Sequence, residues 1–214
     1  MRFLRRRPTV DGMPRRPPID PQGYYHVGSR GNYGRTLFRS PAEHELFLTL
    51  YARAARKYEW KTLAWTLMVN HYHFIVKLTQ GGLSDGMRET NGQFSRRINA
   101  VDGMTGKGHL VRHAFFAREL ENDGDVLVAA RYVDLNEPEA LGILPEMSRW
   151  GGYRATVGLE PPRPFHDPTE LLGIIHRQPE AARRAYRRFV HDGLAQNGQD
   201  PSPNQGYESR TGPG

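Results

Sequence analysis

Hydrophobic and polar positions along the chain follow two periods, and their alternation predicts the elements. Tyr24-Tyr25-His26-Val27-Gly28-Ser29-Arg30 alternates with period two and predicts a first strand, closed by a Gly-Asn-Tyr-Gly turn. Ser40-Pro41-Ala42-Glu43 is a helix start, with a capping serine, proline at the first helical position and glutamate three residues after the cap. Leu46, Phe47, Leu50, Tyr51, Ala54, Ala55 and Tyr58 then recur at helical spacing, so one side of that helix is core. Lys61 to Val69 predicts a second strand with Leu63, Trp65, Leu67 and Val69 on one face. Met68 to Leu78 predicts a third, closed by Gln80-Gly81-Gly82, and Asn70 falls at the joint as a turn, bulge or continuation. Leu83, Met87, Phe94 and Ile98 mark a second helix, weakened by Gly86 and Gly92. A fourth strand is expected over Phe115 to Leu120. Asn122-Asp123-Gly124-Asp125 then offers a cap for a helix from Val126 to Asn136, ended by Pro138.

Strand, helix, strand, strand, helix, strand, helix is the order of an α+β, ferredoxin-like sandwich with an antiparallel sheet and helices on one sheet face. Beyond it, Trp150 and Tyr153 read as anchors for a returning segment. Glu180 to Leu194 reads as an arginine-rich helix (Arg183, Arg184, Arg187, Arg188) with an apolar stripe of Ala182, Tyr186, Phe189 and Val190. The expected organisation is a flexible basic arm over residues 1–21, one main domain over 22–160, a C-terminal helical extension over 161–195 and a disordered tail over 196–214.

Composition narrows the chemistry. The 214 residues contain no cysteine, which removes disulfides, thiolate metal sites and cysteine nucleophiles. No apolar run is long enough to span a bilayer and no signal-peptide core follows the arginine-rich start, so a soluble, intracellular protein is expected. Mean hydropathy is −0.69, low for a fully packed globule and consistent with tails. A net charge of +7, carried mostly by arginine, points to a polyanionic partner, of which nucleic acid is the common one.

The third strand carries the most informative pattern. Tyr72, Phe74, Val76 and Leu78 form an unbroken apolar face, which leaves His71, His73, Ile75 and Lys77 on the other. Two imidazoles side by side on a strand can ligate one divalent metal. The same spacing also occurs on ordinary solvated strand faces, so spacing alone leaves both readings open. In the helix after the fourth strand, Val126, Ala130 and Val133 define a buried edge. Tyr132 lies well round from it, with Asn136 one turn on along the same face. A packing tyrosine and a C-capping asparagine would look the same in isolation.

Taken together, Met68-Val69-Asn70-His71-Tyr72-His73 and Arg131-Tyr132-Val133-Asp134-Leu135-Asn136-Glu137-Pro138 resemble the two signatures of single-tyrosine HUH transposases, closest to the REP-associated tyrosine transposase branch. Supporting stretches occur in the family's order: Tyr25 to Asn32, Gly108-His109-Leu110, and Trp150 with Tyr153-Arg154-Ala155. The similarity covers about residues 20 to 160. Departures are Val69 where proline is common, Glu-Ala-Leu-Gly after Pro138 in place of a basic-containing stretch, and Gly151 and Gly152 where serines are usual. The resemblance implies an HUH endonuclease-type domain acting on single-stranded or hairpin DNA. In it, His71, His73 and Asn136 would hold Mg²⁺ or Mn²⁺ and Tyr132 would be the nucleophile, forming a 5′-phosphotyrosine. It further implies a bacterial, cytoplasmic, nucleoid-associated setting and leaves the oligomeric state open, with a homodimer as the candidate assembly.

That chemistry has a physical rationale. A free phenol has a pKa of about 10, so only about one in a thousand is phenolate at pH 7. A divalent ion offsets charge on a phosphodiester and can supply several kcal/mol at the transition state. A covalent phosphotyrosine conserves the bond energy, so strand transfer needs no high-energy cofactor. The expected DNA contacts are the arm arginines, Arg30 and Arg35, Arg96 and Arg97, and Lys107 with Arg112. Two other classes fit less of the pattern: a non-catalytic single-stranded nucleic-acid binder on the same scaffold, and a metal-dependent hydrolase. Two-histidine phosphoesterases need Ser or Thr two residues after each histidine, whereas His73 follows His71 and Ile75 follows His73.

Overall fold

The computed structural model describes residues 19–104, 108–112 and 115–197. Most of the basic arm, Lys107 and the segment from residue 198 lie outside the described residues. Four strands form an antiparallel sheet: β1 (Tyr24–Arg30), β2 (Lys61–Leu67), β3 (His71–Lys77) and β4 (Phe116–Leu120), in the order β2-β3-β1-β4. Between them run α1 (Pro41–Lys57) and α2 (Leu83–Val101), completing the ferredoxin-like order. The rest is α3 (Asp123–Leu141), α4 (Tyr153–Thr156), α5 (Thr169–Ile175) and α6 (Pro179–Asn197). Two local start signals work as expected: Ser40 accepts from the Glu43 amide, and Asn122 from the Asp125 amide at 3.0 Å.

One sheet face, formed by Tyr25, Val27, Trp65, Leu67, Tyr72, Phe74 and Val76, packs under α1 and α2. Aromatic rings dominate this layer. Tyr51 stacks on Phe74 at 3.9 Å, and Phe47 stands edge-on to Phe94 at 5.2 Å. The other face is also covered, contrary to the expectation of helices on one face only. Leu63, Ala64 and Ile75 pack against Val126, Ala129, Ala130 and Val133 of α3, together with Tyr153, Leu171, Leu172, Ala182, Tyr186 and Val190. The helical extension therefore shares this second core. α6 is tied to α3 by the Tyr186 hydroxyl, which donates to the buried Asp134 carboxylate at 2.7 Å.

Three further expectations need correction. β2 does not keep one face: its register shifts between Thr62 and Ala64, a bulge that sends Leu63 to the α3 side while Trp65 and Leu67 stay with α1. β2 and β3 are separate strands rather than overlapping ones, because Met68 to Asn70 form the hairpin turn closed by Met68 N–H to the His71 carbonyl (2.8 Å). Val69 is thereby exposed. Finally, α3 does not end at Pro138. A proline inside a helix removes one donor, but here the flanking turns are held from outside and the helix runs on to Gly142, whose φ of 63° terminates it. Glu137, buried beside that proline, accepts from the Ser148 hydroxyl and from Trp150 N–H (3.2 Å).

Trp150 and Tyr153 do anchor the returning segment. Leu67 N–H donates to the Trp150 carbonyl and Gly152 N–H to the Trp65 carbonyl, both at 2.8 Å, while Tyr153 is fully buried. The glycine at 152 has a steric reason: a Cβ there would lie 2.9 Å from Trp65 Cδ1 and 3.0 Å from His166 Cε1.

Candidate active site

The register of β1 on β3 pairs His26 with Ile75, Gly28 with His73 and Arg30 with His71. Directly paired residues share a face, so His26, Arg30, His71 and His73 all stand on the side covered by α3. That side is not an open solvated surface: His73 is only 8% exposed and His26 is fully buried. Covering by α3 brings the helix residues in. The Tyr132 ring centroid is 5.6 Å from that of His73 and 5.8 Å from that of His26.

Asn136 completes the group. Its Nδ2 donates to the Tyr132 carbonyl at 2.9 Å, which turns its Oδ1 toward His71 Nε2, 3.3 Å away. Asn136 is thus an interior helix residue, not the C-cap that a helix end at Pro138 would have made it. On its other side, His71 Nδ1 lies 2.8 Å from Asn70 Oδ1. An amide oxygen can only accept, and the shorter of the two amide contacts of His71, the one to Asn70, favours the tautomer with the proton on Nδ1 and a lone pair on Nε2. In that tautomer Nε2 and Asn136 Oδ1 are two acceptors 3.3 Å apart, and a cation between them would satisfy both.

The spacing also suits a metal ion. Ligand atoms at a right angle, each about 2.1 Å from an ion, are about 3 Å apart. Two imidazoles sharing an ion in the same way have centroids about 5 Å apart, and those of His71 and His73 are 5.1 Å apart. Among the described residues no group of three or more His, Asp or Glu side chains is placed to hold a metal, so a cation bound here would take its protein ligands from two imidazoles and one amide. Burial, with the charges of His26 and His71 adding to it, holds the His73 imidazolium well below its ordinary pKa, which keeps that ring neutral and able to donate. The other tyrosine near this strand is no rival nucleophile. Tyr72 is fully buried on the α1 side, donates to Asn91 Oδ1 at 2.8 Å, and has its phenol pKa pushed up by burial.

The expected DNA-contacting residues divide by location. Arg30, exposed at the end of β1, stands across from His71. Arg112 is also exposed, and its backbone N–H donates to the Arg30 carbonyl at 2.9 Å. Half-buried Arg35 belongs to the same corner, its carbonyl lying against Gly31. Arg96 and Arg97 are exposed on α2, in the layer on the opposite sheet face from His71 and His73, so the fold does not bring them to the site. Lys107 lies outside the described residues.

Sequence reasoning missed three residues. His26 Nε2 is 2.9 Å from His73 Nδ1, and burial, followed by the nearby Arg118 charge, lowers its pKa to about 3. Phe116 of β4 is 37% exposed and lies edge-on to His26 at 5.1 Å. Arg118, exposed on the same strand, pairs in register with His26. The pairing of β1 with β4 puts these residues on one face, but nothing local in the sequence stated which strand they would pair with.

The fold and this grouping define a ferredoxin-like α+β domain with a tyrosine beside paired histidines. The sequence model of the family described as "Transposase IS200 like" matches residues 21–136, more than half of the chain, and the chain belongs to that family. The matched region runs from β1 to Asn136 and so contains every member of the group. Among solved structures, the chain is similar to a REP-associated tyrosine transposase bound to a REP hairpin, with 18% identity over 70% of this chain and 89% of that one and a TM-score of 0.57, a likeness of fold. A putative transposase from Deinococcus radiodurans R1 aligns with 15% identity over 54% of this chain and 92% of that one, at a TM-score of 0.39. No curated protein matches the chain in sequence.

Proposed function

We propose that the protein cleaves and rejoins single-stranded DNA through Tyr132, with a Mg²⁺ or Mn²⁺ ion held by His71, His73 and Asn136. The observation that carries this reading is the convergence of β3 and α3: the Tyr132 ring lies 5.6 Å from that of His73, and Asn136 Oδ1 lies 3.3 Å from His71 Nε2. The ion, when bound, supplies charge neutralisation at the scissile phosphate. The Tyr132 oxygen attacks phosphorus as its proton leaves, forming a 5′-phosphotyrosine. The bond to the 3′ oxygen breaks, and that oxygen takes up a proton as a free 3′-hydroxyl. Reversal by the same or another 3′-hydroxyl completes strand transfer.

Recognition is supported by the surface around the group. Arg30, Arg112 and Arg118 supply positive charge for a phosphate backbone. The exposed Phe116 ring offers a stacking face for an unpaired base. A DNA hairpin with a single-stranded flank is the proposed substrate; the similar REP-associated tyrosine transposase is bound to a REP hairpin. The test is incubation with end-labelled hairpin DNA and Mn²⁺ followed by denaturing electrophoresis. A protein-linked DNA band that disappears in Tyr132→Phe and in chelator supports the reading, and strand cleavage persisting in Tyr132→Phe defeats it. Binding indifferent to chelator with no linked band identifies a non-catalytic binder instead.

A further inference from the structure

We infer that His26 is a positioning residue that fixes the tautomer and ring plane of His73, keeping the proton on His73 Nδ1 and leaving its Nε2 as a lone pair. The inference rests on the proposed metal-supported reading of the site and deepens it, because it names the group that readies the second histidine. His26 Nε2 and His73 Nδ1 are 2.9 Å apart, and both residues are buried. Two neutral imidazoles at that distance share one proton. If His73 Nδ1 donates, its Nε2 is free to bind a cation. If His26 Nε2 donates, the proton of His73 sits on Nε2, which then repels one. Histidines that bind metals characteristically donate their second ring N–H to a fixed acceptor. His71 has such an acceptor in Asn70 Oδ1, at 2.8 Å. His26 is the corresponding partner of His73.

The surroundings are shaped to hold this contact. His26 is not directly opposite His73 in the sheet, since Gly28 is. The His26 ring reaches its partner diagonally across a position that carries no side chain. A Cβ on Gly28 would come within 2.6 Å of Phe116 Cε1, so the glycine makes room for the Phe116 ring. That ring stands nearly perpendicular to His26 (85°, 5.1 Å), and Tyr132 packs against His26 at 5.8 Å. The imidazole is thereby held between the proposed nucleophile and a β4 aromatic, and its plane is set by three neighbours.

The experiment is ¹⁵N NMR of the full chain with labelled histidine, free of metal, with His73 assigned by comparison with His73→Gln. The expected spectrum shows His73 protonated at Nδ1 and unprotonated at Nε2. In His26→Gln, whose side-chain oxygen can accept the same proton, that pattern persists. In His26→Phe, which fills the space without an acceptor, it shifts toward the Nε2-protonated form, and Mn²⁺ affinity read by electron paramagnetic resonance falls on the order of 10- to 100-fold. His73 protonated at Nε2 in the native chain, or a His26→Phe protein with unchanged tautomer and unchanged Mn²⁺ affinity, overturns the inference. If His26→Phe does not fold, the native spectrum and that of His26→Gln decide. Native protein that shows the expected tautomer yet binds no Mn²⁺ refutes the metal reading while leaving the role of His26 intact.

Discussion

His71 Nε2 and Asn136 Oδ1 lie 3.3 Å apart although 65 residues separate them in the chain. Each is held by a bond on its far side, His71 to Asn70 and Asn136 to the Tyr132 carbonyl, so neither acceptor is free to turn away from the other. Asn136→Asp, which adds a charge at this point, is expected to raise Mn²⁺ affinity by about tenfold, and Asn136→Ala to lower it by a similar factor. Titration by electron paramagnetic resonance checks both. Equal affinity in all three proteins would place the ion elsewhere.

The arginines should separate by sheet face. Arg30→Ala and Arg112→Ala, at the corner beside His71, are each expected to weaken single-stranded DNA binding and to reduce the salt slope by about one. The double substitution of Arg96 and Arg97 on α2 should change neither by as much, since the whole sheet stands between that helix and the site. Fluorescence anisotropy at a series of salt concentrations measures affinity and slope together. A larger loss from the α2 pair would mean that DNA crosses the α1 and α2 layer instead.

Gly152 is a packing requirement. Gly152→Ala forces a methyl to within 3.0 Å of Trp65 and His166 and is expected to cost about 1–3 kcal/mol. Gly173→Ala, in α5 where a Cβ meets nothing within 4 Å, should be neutral or stabilising by up to about 1 kcal/mol. Denaturant unfolding of the two variants beside the native chain reads the difference.

His166 predicts an acid-side loss of stability. It is buried, its Nε2 lies 3.3 Å from the Leu63 carbonyl, and burial lowers its pKa from 6.5 to about 4. Because the unfolded chain takes up this proton first, the contribution is fully present above pH 6.5 and is lost as pH falls toward 4. In His166→Gln, which does not titrate, stability should fall less over that window, so the gap between native and variant narrows by up to about 3 kcal/mol. A gap constant with pH would mean that His166 keeps its ordinary pKa in the fold.

Much of this architecture was legible in the residues. The strand and helix spans of β1, α1 and α2 follow from their hydrophobic periods, and the caps at Ser40 and Asn122 from local hydrogen-bonding chemistry. Period two was also enough to put His71 and His73 on one side of a strand. Pro138 misled because the cost of a missing donor is local, whereas what keeps α3 intact past it is contact with Ser148 and Trp150. The bulge at Leu63 has no mark in the sequence, since an apolar residue serves either sheet face.

By itself, then, the sequence determined the order of the four strands and of the helices α1 to α3, the absence of thiol chemistry and the facing of the two histidines, because hydrophobic period and side-chain direction along a strand or helix are intrinsic to backbone geometry. Only the tertiary structure decided that α3 covers the histidine face, that His26 meets His73 across a side-chain-free position, and that Arg96 and Arg97 lie on the far layer. Those outcomes depend on strand register and on which apolar faces bury against each other, and such long-range choices are made by the whole chain rather than by any local stretch of it.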